Sequence, residues 1–283
     1  MTPDNAEDNA DPKNMTLPLQ NPPLDLQLQL QVERLQHYSI VELEVVQQFH
    51  IWLDDKRHCR QACRVVGDSR TGKTVACNAY RHKHSRQQSS GEAPIVPVMY
   101  LHAPTESGPR ELFVGLLEYL QYRISRGTIA ELRERVYRLL KTCQVEMIIL
   151  DEAHRLRPKT FSEIRDIFDL LNISVVLVGT DRLDAIVRRD EQVYNRFMSC
   201  HRFHRMDSQA LEDTTAIWEA YVLKLPQSSN LTRAPMQKIL RTSTRGYLGL
   251  LDDILRNAAR RALQSGCLQI DLNLLSQAAA EYH

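Results

Sequence analysis

Eight consecutive residues, Gly67-Asp68-Ser69-Arg70-Thr71-Gly72-Lys73-Thr74, carry the G-x-x-x-x-G-K-[ST] spacing of a phosphate-binding loop. The glycines let backbone N–H groups turn inward on the β- and γ-phosphates of a nucleoside triphosphate, and a following helix offers its positive end. Lys73 adds a point charge, and the Thr74 hydroxyl can ligate Mg²⁺. A second string, Met147-Ile148-Ile149-Leu150-Asp151-Glu152, reads as a buried strand ending in two acids. Asp151 is expected to bind Mg²⁺ through water. Glu152 is expected to orient and polarise the attacking water, since hydrolysis needs a positioned nucleophile and a neutralised γ-phosphate. A third run, Val175-Val176-Leu177-Val178, ends in Gly179-Thr180-Asp181 and places a hydroxyl at the same sheet edge, where it can sense the γ-phosphate. Each string alone has a plainer reading: a chance Gly-rich turn, a solvated helix start, a strand-terminating turn. The pairing of loop and acids, with strand before and helix after the loop, favours nucleotide chemistry.

These groups have to be positioned by a sheet. Short apolar runs at 62–66, 95–101, 146–150 and 174–178 alternate with amphipathic segments at 73–84, 110–125, 129–142, 159–171 and 184–197, the pattern of strand-helix-strand units and a parallel sheet. The runs at 146–150 and 174–178 are almost purely aliphatic, as central strands covered on both faces require. Before them, apolar residues at helical spacing (Leu28, Val32, Leu35, then Val41, Val45, Val46, Phe49, Leu53) predict two helices divided near 37–39. Residues 1–24, with five prolines and no apolar period, read as a disordered polar tail. From 207 to 283 only helical periodicity remains, with Trp218, Leu223, Leu240, Leu251, Ile254 and Leu255 as its core. The expected architecture is therefore an α/β nucleotide-binding domain over 25–206 followed by a helical subdomain.

The chain has 283 residues, 43% hydrophobic and 25% charged, which suits a large domain with a smaller companion and excludes a staple-dependent module. Lys and Arg number 36 against 35 Asp and Glu, a formal charge of +1, so nucleic-acid affinity would have to come from a local basic surface. The six cysteines form no Cys-x-x-Cys pair, and His82, His84 and His154 lack the partners of a metal site. Free thiols in a reducing cytoplasm are expected. No apolar stretch approaches the roughly 20 residues that span a bilayer.

The order of phosphate loop, Asp-Glu strand, Thr180 at a sensor-one position and helical lid resembles the AAA+ ATPases. More specifically, the strings 63–77, 149–156 and 176–184 resemble the TnsC/TniB family of transposition-regulator ATPases, and within it the TnsC of type V-K CRISPR-associated transposons. The likeness runs from about residue 38 to the C-terminus. It implies ATP and Mg²⁺ as cofactors and a helical homo-oligomer on double-stranded DNA. It also implies a role linking a target-selection complex, the RNA-guided CRISPR effector and TniQ, to the transposase TnsB. In such assemblies a neighbouring subunit's arginine completes the site; Arg196 stands at the matching position, with Arg182 and Arg189 as rivals. Arg110, Arg126 and Thr128 match positions that line the DNA-facing side, although Arg110 could simply start a helix. Glu106 nearby opposes DNA, so binding should be salt-sensitive. The family's sensor-two arginine is missing where Gly249 is followed by Leu250-Leu251, leaving Arg245 or Arg256 as substitutes.

Two other readings stay open. One is a nucleotide-stabilised recruitment scaffold with incidental hydrolysis. The other is a helicase-loader-like ATPase on single strands, which the 6% aromatic content disfavours because single-strand binding uses stacking.

Overall fold

A computed structural model describes residues 24–37, 41–86, 94–122 and 126–282. The tail expected over 1–24 lies outside them, except for Leu24, which opens a helix. The division expected near 37–39 also falls on or beside undescribed residues, whereas the helix expected to run to 125 ends at Tyr119, where Leu120 caps it.

Among the described residues five strands form one sheet: β1 (Cys63–Gly67), β2 (Val98–His102), β3 (Met147–Asp151), β4 (Ser174–Gly179) and β5 (Cys200–Phe203). Their order is β2-β3-β4-β1-β5 and every pairing is parallel. Every residue of β1, β3 and β4 is buried, so aliphatic side chains serve both faces, as in covered parallel sheets. One face packs on α2 (Glu44–His58) and α3 (Lys73–Lys83) through Phe49, Leu53, Ala76 and Tyr80. The other packs on α4 (Pro109–Tyr119), α5 (Ile129–Thr142) and α6 (Pro158–Leu171) through Phe113, Leu116, Val136, Leu140 and Ile164.

Two expectations need correction. The segment 184–197 is two helices, α7 (Asp181–Val187) and α8 (Glu191–Arg196), because Asp190 accepts from the amides of Gln192 and Val193 and restarts the chain as a cap. Strand β5 carried no aliphatic run; it is an edge strand with Cys200 and Arg202 exposed, held by pairing to β1.

The lid is built from α9 (Ser208–Ile217), a π-helical turn over Trp218–Leu223, α10 (Ala234–Thr244), α11 (Leu248–Gln264) and α12 (Leu272–Ala280). The first helix, α1 (Leu24–Gln36), joins this core through Leu28, Val32 and Leu35. Arg34 donates to the carbonyls of Val222, at 2.7 Å, and Leu223.

The sheet is tied to α7 by a buried cation. Arg64 of β1, 5% exposed, donates to Asp184 at 2.6 Å and to the carbonyls of Phe197 and Met198. Removing one partner of a buried pair strands the other charge. Arg64→Ala is therefore expected to lower unfolding stability by about 3 kcal/mol, read as a lower urea midpoint; an unchanged midpoint would show the pair contributes nothing.

Candidate nucleotide site and DNA-facing edge

Parallel strands deliver their C-terminal ends to one edge, where open α/β sheets bind ligands. Strand β1 lies between β4 and β5 and hands the chain directly to the loop 67–74. Gly67 has φ +155°, and a Cβ there would lie 2.4 Å from the Phe203 carbonyl oxygen; Gly72 has φ +97°. Only glycine fits such a path. Lys73 is buried, and its Nζ donates to the carbonyls of Gly67 at 2.8 Å and Asp68 at 2.6 Å. Burial pulls its pKa below the usual lysine value, with the Asp151 and Glu152 carboxylates opposing that shift. An ammonium whose hydrogen bonds end on neutral carbonyls keeps its charge available to an incoming anion.

Asp151 ends β3 with no exposed surface. Its Oδ2 accepts from the Thr74 hydroxyl at 2.7 Å and the Tyr100 hydroxyl at 2.6 Å, and its Oδ1 accepts from the Glu152 amide at 2.8 Å. Burial and the bond to Asp151 push the Tyr100 hydroxyl's pKa up, keeping it a donor. Sequence reasoning missed Tyr100, which reads as one more residue of a β-strand. Glu152 takes a left-handed backbone, φ 54°, uncommon for a non-glycine residue. Its carboxylate lies 3.4 Å from His154 Nε2 and 3.3 Å from Arg155. Thr180 follows β4, and its Oγ1 is buried with no hydrogen-bond partner among the described residues, as is Nδ1 of His154. Buried polar atoms are nearly always partnered, so the orphaned hydroxyl fits an oxygen that arrives with the nucleotide.

The donor set also fits Mg²⁺. Thr74 spends its proton on Asp151 and keeps oxygen lone pairs, and hydroxyl and carboxylate oxygens are the hard ligands Mg²⁺ takes beside phosphates. No cluster of three or more His, Cys, Asp or Glu that could cage a metal occurs among the described residues.

A cleft of about 460 Å³ runs from the loop past Glu152, walled by Val41, Leu43 and Val46 before and in α2, Phe203 of β5, and Trp218 and Leu248 of the lid. An apolar slot beside a phosphate cradle suits a flat base. The loop is stitched to the lid by its own side chains. Asp68 pairs with Arg205 at 2.8 Å and accepts from the Tyr247 hydroxyl at 3.3 Å, and Arg205 lies over the Tyr247 ring. Arg70 pairs with Asp253 at 2.6 Å, and its carbonyl accepts the Gly249 amide at 2.9 Å. Thr71 turns back onto the Asp68 carbonyl, while Ser69 is exposed. Thus Asp68 and Arg70, grouped by sequence with the nucleotide contacts, direct their side chains at the lid. Of the substitutes for a sensor-two arginine, Arg256 is committed to Asp252 at 2.7 Å and to carbonyls of Leu35 and His37, while Arg245 is exposed where α10 ends.

Of the finger candidates, Arg196 pairs with Asp169 of α6 at 2.8 Å, and Arg182 and Arg189 are exposed on and just after α7. The three residues expected to face DNA come together: Arg110 donates to the Gly127 carbonyl at 2.7 Å, between Arg126 and Thr128. Thr128 also caps α5, accepting the Glu131 amide, so its hydroxyl has a structural task beside any phosphate contact. Glu106 pairs with Arg157 at 3.4 Å, which blunts its repulsion of an anion.

Residues 29–207 match the family model described as Bacterial TniB protein. The chain belongs to the TniB family. No curated protein matches it. Among solved structures, this TniB-family chain is similar to the Aeropyrum pernix ORC2 protein, solved as ADPNP–ADP complexes, at 14% identity and TM-score 0.67, with 88% of this chain and 71% of that one covered. It is similar to Cdc6p from Pyrobaculum aerophilum at 18% identity and TM-score 0.67, covering 87% and 69%. It is also similar to the Aeropyrum pernix ORC1 protein in complex with DNA at 17% identity and TM-score 0.61, covering 91% and 64%. The shared feature is the fold, an AAA+ P-loop domain with its helical lid. No helix among the described residues is long and apolar enough to cross a membrane.

The hydrogen bond from Arg205 holds the Asp68 carboxyl below the usual carboxylate range. A depressed folded value contributes stability above the unfolded pKa of about 3.9 that is lost as pH falls through the folded one. Asp68→Asn should therefore melt lower than wild type at pH 7, with the gap closing in acid. A gap unchanged down to pH 3 would contradict the pairing.

Proposed function

We propose that this TniB-family protein is an Mg²⁺-dependent ATPase that assembles with its own copies on double-stranded DNA and regulates transposition. On this reading it works in the cytoplasm and links a target-selection complex, an RNA-guided CRISPR effector with TniQ, to the transposase TnsB, as the TnsC of type V-K transposons does. The observation that carries the ATPase reading is the convergence at one sheet edge of Lys73, the 2.7 Å Thr74–Asp151 pair, Glu152 and the orphaned Thr180 hydroxyl.

The loop amides of residues 67–74 and the Lys73 ammonium bind and orient the phosphate oxygens. Thr74 directly and Asp151 through water would hold Mg²⁺, which would neutralise charge on the transferred phosphoryl group. Glu152 aligns the attacking water and accepts its proton at a carboxylate oxygen. Thr180 Oγ1 donates to the γ-phosphate region. Arg196 of one copy, once released from Asp169, completes the neighbour's site. Arg110, Arg126 and Thr128 contact phosphates without reading bases. The pairing of Glu152 with His154 and Arg155 favours slow hydrolysis, and so supports a second reading in which the bound nucleotide mainly stabilises a recruitment scaffold.

Lys73→Ala should abolish ATP-dependent assembly on duplex DNA, whereas Glu152→Gln should cut turnover about 100-fold or more and leave long-lived assemblies. Sedimentation with DNA and phosphate release measure both. Assembly by Lys73→Ala at ordinary ATP concentrations contradicts the proposal, and transposition sustained by Glu152→Gln favours the scaffold.

A further inference from the structure

Asp151 shares one oxygen between two hydroxyl donors, and only Thr74 belongs to the phosphate loop. The other donor, Tyr100, is the third residue of β2, in register with Ile149 of the neighbouring strand. Its ring packs beside the cluster containing Cys77, Val98 and Ile149, and its hydroxyl reaches Asp151 Oδ2 at 2.6 Å. We infer that Tyr100 is a positioning residue for the divalent cation, fixing the Asp151 carboxylate and through it the direction in which Thr74 turns its oxygen toward the metal. The inference rests on the Mg²⁺-nucleotide reading of the site given above.

Asp151 Oδ1 is pinned by the amide of the next residue, and Oδ2 receives two hydroxyl protons. Three donors from three segments define the carboxylate plane, whereas a terminal carboxyl torsion left to itself is broad. Thr74 must point its only proton at Oδ2, so the orientation of Oδ2 decides where the remaining lone pairs of Thr74 lie. Without the Tyr100 hydroxyl the plane is set by Thr74 and the Glu152 amide alone. Residues that orient a metal's ligands in this way typically change metal affinity by about 10–100-fold when removed.

Tyr100→Phe deletes the oxygen and keeps the ring. With the full-length protein, Mn²⁺ binding in the presence of ADP is read by electron paramagnetic resonance, and ADP binding alone is read in EDTA. The expected result is Mn²⁺ binding weakened about tenfold with metal-free ADP affinity within twofold of wild type. In an Asp151→Asn background the same change should cost little more, since Tyr100 acts through Asp151. Unchanged Mn²⁺ affinity overturns the inference, and so does an equal loss of ADP affinity in EDTA, which would mark a role in holding the loop. Should Tyr100→Phe fold poorly, wild-type protein labelled with ¹³Cζ-tyrosine gives a second readout. The Tyr100 resonance should move when Mg²⁺ is added to the ADP-bound protein, and a resonance that stays put refutes the idea. Wild-type protein that binds neither ADP nor Mn²⁺·ADP removes the nucleotide reading and this inference together, whereas a Tyr100→Phe protein equal to wild type removes this inference alone.

Discussion

A carboxylate with no solvent contact has to be met by donors, and Asp151 meets that requirement by drawing three segments onto one point. The phosphate loop supplies Thr74, β2 supplies Tyr100, and the step from β3 supplies the Glu152 amide. A buried charge left without such partners would cost several kcal/mol, so these segments hold one another in place. That constraint works only because β1, β3 and β2 run parallel, which brings loop, acids and tyrosine to the same end of the sheet. β4 separates β1 from β3 and sets the Thr180 hydroxyl at that end between the cradle and the acids.

The second constraint joins the loop to the lid. Asp68 and Arg70 occupy the variable positions of the phosphate-loop pattern, yet each grips a residue of opposite charge, Arg205 ahead of the lid and Asp253 within it. The Gly249 amide adds a backbone bond to the Arg70 carbonyl. Loop side chains thus reach out to the lid and its approach.

Much of this was legible from the sequence. Aliphatic runs marked β1, β3 and β4, because burial on both faces favours apolar side chains, the buried Arg64, Asp151 and Ser174 each being met by a hydrogen-bond partner. The Gly-Lys-Thr and Asp-Glu strings marked the site because phosphate chemistry restricts residue type and spacing. The features that escaped depend on tertiary context. β5 has two exposed residues in four and is a strand only because β1 offers it hydrogen bonds. The break between α7 and α8 depends on a cap at Asp190. Tyr100 looks like an ordinary strand residue until the fold places it against Asp151. The contribution of α1 to the lid core follows from packing against α11, and periodicity alone cannot say which helix a face will meet.

In the proposed function a triphosphate held by Lys73 and Thr74 controls whether copies of the chain gather on duplex DNA through the edge bearing Arg110, Arg126 and Thr128. Electron microscopy of the wild-type protein with duplex DNA, in ATP, in ADP and without nucleotide, tests it most directly. The account predicts ordered assemblies along DNA with ATP and their loss in the other two conditions. Equal coating of DNA in all three would contradict it.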